Sequence, residues 1–118
     1  MERILKITIG ADWKAAIRSG FTQAMETGSY AGESINFQSP AVFFSRLSDN
    51  RWKLLNALQG EGEVGVRELA RRLGRDVKRV HEDAAALVDL GLVEKTASGA
   101  LICPYADIHV DMHLRRAA

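Results

Sequence analysis

The stretch from 67 to 91 constrains this chain more than any other. "RELARRL" carries Leu69, Ala70 and Leu73 at helical spacing, and Gly74 follows it. A second apolar row, Val77, Val80, Ala84, Leu87 and Val88, runs from there to Gly91. Side chains three and four positions apart share one face of a helix, so the pattern predicts helices over 67–73 and 77–90. Glycine takes the left-handed backbone that closes a helix. An aspartate such as Asp76 accepts from the free N–H groups that open one. Only Gly74-Arg75-Asp76 separates the two helices, so the chain must turn sharply between them.

The same stretch gathers positive charge. Arg67, Arg71, Arg72, Arg75, Lys78 and Arg79 stand against only Glu68 and Asp76, although the whole chain has a formal net charge of +1. A local basic patch is the usual electrostatic footprint of a protein that meets a polyanion. Two helices across a short turn have the spacing of a helix-turn-helix, whose second helix lies in the DNA major groove. If Val77, Val80, Ala84 and Leu87 face inward, the opposite face shows Lys78, Arg79, Glu82, Ala85 and Ala86. Lys78 or Arg79 in the first turn can read guanine through O6 and N7, and Glu82 can accept from a cytosine amino group. Glu82 would also repel phosphate. Arg67, Arg71, Arg72 and Arg75 suit phosphate contacts, which position a protein but carry no sequence information. His81 reads as DNA-facing or simply exposed. The plainer alternative for the whole stretch is a solvated arginine-rich surface.

Around this core the chain reads in order. "ILKITI" alternates as a strand, with Leu5, Ile7 and Ile9 against Lys6 and Thr8. Asp12 can cap a helix of about 13–27 whose stripe includes Trp13, Ile17, Phe21 and Met25. "SINFQ" is a second short strand. A strand-helix-strand segment of this length is too small to hold a core alone, so the stripe is expected to form a dimer interface. Ser39-Pro40 opens a short helix that should bury Phe43, Phe44 and Leu47. Asp49 should cap the next helix, which presents Trp52, Leu55 and Leu58. "GEGEVGV" is a turn with room for a short strand pair. "LVEKTASGALICP" reads as a hairpin turning at Ser98-Gly99, with Lys95, Thr96 and Ser98 as weak further contacts. "DIHVDMHL" alternates as a final strand, able to join the N-terminal sheet.

Other chemistry is sparse. His109, Asp111 and His113 would share one strand face and could hold zinc, but they read more simply as the solvent face of a strand burying Ile108, Val110, Met112 and Leu114. No metal and no cofactor is expected. Cys103 is the single cysteine, read as a small buried apolar residue in a reducing compartment. No Gly-rich phosphate loop, nucleophile elbow or paired catalytic carboxylate is found, so no enzyme is expected. No apolar run reaches the roughly 18 residues that span a bilayer, and the start "MERILKITIG" lacks the features of a secretory signal. The expectation is a cytoplasmic protein with no membrane partner.

"VRELARRLGRDVKRVHEDAAALVDLGLVEKTASGALICPY" resembles the winged helix-turn-helix of bacterial and archaeal transcriptional regulators of the MarR and ArsR kind, over about residues 41–105. "L..LGLVEK" is typical of the end of their recognition helix and the first wing strand. Those relatives often carry a basic residue where this chain has Glu82. With "DIHVDMHL" the stretch is also similar to a group of small DNA-binding proteins often encoded beside a toxin. The resemblance implies a winged helix-turn-helix over that stretch, and with the segment read before it the expected fold is an α+β winged helix-turn-helix with an N-terminal strand-helix-strand extension. The chain is read as a dimerisation or partner-binding segment at 1–38, a DNA-binding domain at 39–105 and a C-terminal strand and tail at 106–118. The expected function is a sequence-specific regulator, a repressor acting as a homodimer on a pseudo-palindromic operator in double-stranded DNA. The alternative is an antitoxin that binds a toxin protein and represses its own operon.

Overall fold

The computed structural model describes residues 3–10 and 33–114. The helix expected at 13–27, with Trp13, Ile17, Phe21 and Met25, lies outside the described residues. The described chain is a mixture of helices and strands: β1 (Arg3–Ile9), β2 (Glu33–Phe37), α1 (Pro40–Arg46), α2 (Asp49–Leu58), α3 (Val66–Leu73), α4 (Val77–Leu90), β3 (Glu94–Lys95), β4 (Leu101–Ile102) and β5 (Tyr105–Asp111). No helix among the described residues is long and apolar enough to cross a membrane.

Two compact units divide the chain, 1–44 with 107–118, and 45–106. The division falls inside α1 and inside β5. In the first unit β1 is the central strand of a sheet ordered β2-β1-β5, so the last strand does join the N-terminal one. β1 and β2 run parallel, with Ile7 opposite Ile35 and Thr8 opposite Asn36. Leu5 and Ile7 are buried as the alternation requires, but Thr8 is buried too. The Thr8 hydroxyl bonds Asn36 Oδ1 at 3.0 Å, which offsets the loss of water around a buried polar group. Arg3 closes the same pair of strands with a two-pronged bridge to Glu33, at 2.8 and 2.7 Å. Phe43 stacks edge-on against Phe37, with centroids 5.4 Å apart and planes at 83°, which draws the start of α1 into this unit. Phe44, expected inside, is 61% exposed. Adjacent residues on a helix point about 100° apart, so a seven-residue helix with one covered face cannot bury both rings.

The second unit is built from α2, α3 and α4, which touch pairwise. Leu54, Leu55, Leu58, Leu69, Val80 and Leu87 form its fully buried centre. The N-cap of α2 is Ser48, not Asp49: its side chain accepts from the Arg51 N–H. Asp49 instead pairs with Lys53 at 3.1 Å, one turn on. Gly74 and Gly91 end α3 and α4 in left-handed conformations, with φ of 65° and 84°. β3 and β4 pair antiparallel, Glu94 with Ile102 and Lys95 with Leu101. The short pair expected near "GEGEVGV" is Val64 against Leu101, held by two reciprocal bonds of 2.8 Å. Val64 thus ties the entry to α3 onto the hairpin. Tyr105, buried at the end of this unit, donates its hydroxyl to the Gly91 carbonyl at 3.2 Å.

Candidate nucleic-acid interface

The turn between α3 and α4 is closed by the backbone and by one side chain. Gly74 N–H donates to Arg71 O at 3.2 Å, and Arg75 N–H to Ala70 O at 3.0 Å. Asp76 then accepts from the Arg79 N–H at 3.3 Å, which starts α4 at Val77. Along α4, Val80, Ala84 and Leu87 are buried, while Lys78, Arg79, His81, Glu82 and Ala85 are exposed. The first two turns of α4 therefore present two cations, an imidazole and one carboxylate to solvent. The side chains of Lys78 and Arg79 make no ion pair among the described residues. Val77, expected in the core row, is 42% exposed. α3 ends at Leu73, itself half-buried, so the core shared by the two helices stops short of Val77.

The arginines of α3 and the turn divide into three groups. Arg67 is exposed and makes no ion pair among the described residues. Arg71 and Arg72 share Glu68: Arg71 holds it with two donors, one of them Nε at 3.0 Å, and Arg72 Nε reaches it at 3.2 Å. The two guanidiniums lower the Glu68 carboxyl to a pKa of about 2, the Arg71 hydrogen bonds being the larger cause, and Glu68 in turn raises that of Arg71. Arg72 also approaches Glu61 at 3.8 Å.

Arg75 departs most from the expectation of a phosphate contact. It is mostly buried and bonds Asp83 Oδ2 at 2.9 Å. Arg51 of α2 takes Asp83 Oδ1 at 3.1 Å and donates to the Arg46 carbonyl at 2.7 Å. One carboxylate on α4 thus joins the turn, α2 and the end of α1. Arg75 is committed to the protein interior and does not belong with the solvent-facing cations. No periodicity marked Arg51 or Asp83, because a bridge across 32 positions leaves no trace in local spacing.

The hairpin offers Lys95 and Ser98, both exposed. Its tip is a tight turn in which Gly99 N–H donates to Thr96 O at 2.9 Å and Thr96 N–H to Ala100 O at 2.8 Å. The hydroxyls of Thr96 and Ser98 lie 3.0 Å apart.

In the first unit, His109 is exposed, and Asp111 pairs with Lys6 at 3.5 Å and with His113 at 2.8 Å. Among the described residues no group of three His, Cys, Asp or Glu side chains is arranged to hold a metal ion. Leu114, expected on the buried face of this strand, is fully exposed beyond its end, and Ile108, Val110 and Met112 are half-buried. Cys103 is buried, which raises its thiol pKa, and the thiol approaches the Tyr105 carbonyl at 3.8 Å.

A family model, HVO_A0114, matches residues 46–110, more than half of the chain. The chain belongs to the HVO_A0114 family. The match takes in α2, α3, α4 and the hairpin, and so every solvent-facing cation of the helical face. Neither a curated protein nor a solved structure matches the chain. The HVO_A0114 name states no substrate or activity, so what this face does rests on its geometry.

Proposed function

We propose that this HVO_A0114 protein is a winged helix-turn-helix regulator that binds duplex DNA and represses transcription by occupying its operator. α4 is the recognition helix and the β3–β4 hairpin is the wing, in the manner of MarR- and ArsR-type regulators. The observation that carries the reading is the first turn of α4. It follows a three-residue turn, projects Lys78 and Arg79 without ion-pair partners among the described residues, and is backed by the buried row Val80, Ala84 and Leu87. A recognition helix needs a firmly packed back and a basic leading edge. Lys78 and Arg79 read base edges. Exposed Val77 adds an apolar group of the kind that meets a thymine methyl, and Glu82 favours a cytosine amino group. Arg67, Arg71 and Arg72 hold phosphates, with Glu68 competing for the last two. Arg75 orients the helix from within.

Titration of the protein with its own upstream DNA at several salt concentrations tests the reading. Log affinity should fall linearly with log salt, by about 0.9 for each phosphate neutralised. Arg79→Ala should cost about 1–3 kcal/mol at one operator position and relax specificity there. Arg67→Ala should weaken all sequences alike and flatten the salt slope. Binding that ignores salt, or no duplex binding at low salt, would overturn the assignment.

A further inference from the structure

A cavity of about 310 Å³ lies between α4 and the hairpin. Ala85 and Val88 of α4 and Leu101 of β4 give it apolar walls, and His81, Asp89 and Lys95 supply its polar groups. The small side chains explain the space: a helix face carrying alanines at 84 and 85 and a hairpin whose tip is a glycine do not fill it. His81 and Asp89 are eight positions apart on α4, or about 12 Å along the helix axis. Both therefore line an elongated hollow.

The charges are the informative part. Asp89 and Lys95 have opposite sign and line the same cavity, yet neither forms an ion pair or a side-chain hydrogen bond among the described residues. An apolar hollow bordered by one unpaired carboxylate and one unpaired ammonium is complementary to a molecule with the inverse pattern. The volume lies at the lower end of the roughly 300–1,000 Å³ of ligand pockets, too small for a dinucleotide. We infer that this cavity binds a small zwitterion with an apolar body, the chemistry of an apolar α-amino acid. The ligand carboxylate meets the Lys95 ammonium, its ammonium meets Asp89, and its side chain covers Ala85, Val88 and Leu101. Such a ligand touches both α4 and the hairpin, so it fixes the angle between them. The site goes beyond DNA binding, and its occupancy is measured without DNA.

The test is a titration of the full chain with L-leucine and L-phenylalanine, followed by amide chemical shifts and by calorimetry. Saturable shifts at Ala85, Val88 and Leu101 are expected for both. N-acetyl-L-leucine lacks the ammonium and L-leucinamide lacks the carboxylate, so each should bind at least tenfold more weakly. Asp89→Asn and Lys95→Gln should each weaken the zwitterion by a similar factor. Both are exposed residues that make no ion pair among the described residues. Ala85→Leu, which fills the cavity, should abolish the shifts. Three results overturn the inference: no saturable shift at tens of millimolar, blocked derivatives binding as well as the zwitterions, or binding that survives Ala85→Leu. A protein that binds leucine but no duplex DNA would sink the regulator reading and leave this site standing.

Discussion

At the scale of single residues, the carboxylates of this face do opposite work. Glu68 is held ionised by Arg71 and Arg72, with its pKa lowered from the ordinary 4.5 to about 2. A carboxylate with a depressed folded-state pKa contributes stability above its unfolded value, and the contribution disappears as pH falls through the folded one. The window for Glu68 is therefore about pH 4.5 down to 2. A side-chain carboxyl titration should find its midpoint well below the ordinary 4.5, and Arg71→Ala should move it upward. Near neutral pH the charge is fully present, and under the proposed function it competes with DNA phosphate for Arg71 and Arg72. Glu68→Gln is expected to tighten binding to all duplex sequences and steepen the salt dependence. Unchanged affinity would mean that Arg71 and Arg72 do not reach the phosphates. Asp83 works by position. It is the shared acceptor of Arg51 and Arg75, and its side chain is 17% exposed. Removing one partner of a buried pair leaves the others uncompensated, and partial exposure screens the cost, so Asp83→Ala should destabilise by about 1–3 kcal/mol. Denaturant unfolding measures it. Under the proposed function, sequence-specific binding should fall more than nonspecific binding, because Arg67, Arg71 and Arg72 remain while α4 loses its anchor.

At the scale of elements, most of the second unit could be read from the chain because its signals are local. Gly74, Asp76 and Gly91 end and begin helices through their own backbone and side-chain geometry, and each does so where spacing predicts. Burial is less local, and the misplaced residues share that cause. Val77 has the right period for the core but sits ahead of the point where α3 covers α4. Phe44 has the right chemistry but shares a one-faced helix with Phe43. Ser48 and Asp49 can both cap a helix, and only the three-dimensional turn decides that Ser48 does. Arg75 looked like its basic neighbours because its partner Asp83 lies a full turn and more inside the next helix. Lys78 and Arg79, which make no ion pair among the described residues, are exposed as their place on the outer face of α4 predicts. The packing behind them is testable as well. Leu87 is fully buried on the inner face of α4, and Leu87→Ala should cost about 2–5 kcal/mol. A loss well below that range, read from chemical denaturation, would mean that α4 is not seated on a tight core.

At the scale of the whole molecule, the two units differ in what they leave uncovered. Ile4, Phe44 and Leu114 are exposed large apolar side chains of the first unit, whereas Val77 is the sole large one in the second among the described residues. Exposed apolar side chains mark an interaction site where they form a contiguous patch. The sequence predicts a further apolar stripe, Trp13, Ile17, Phe21 and Met25, in the N-terminal segment outside the described residues. A recognition helix alone covers one half-site, and two half-sites about 34 Å apart require two copies related by a twofold axis. We therefore expect the first unit to make a homodimer. Phe21→Asp would place an unpaired charge in that interface, which costs several kcal/mol in a dry environment. Sedimentation equilibrium of the wild type, Phe21→Asp and a chain beginning at Ser39 distinguishes the outcomes. Dimer for the first and monomer for the other two is the expected result, with operator affinity falling in step. If the chain beginning at Ser39 dimerises as strongly as the full one, the N-terminal segment does not join the copies. Its apolar stripe would then be free to hold a different protein, as an antitoxin holds a toxin.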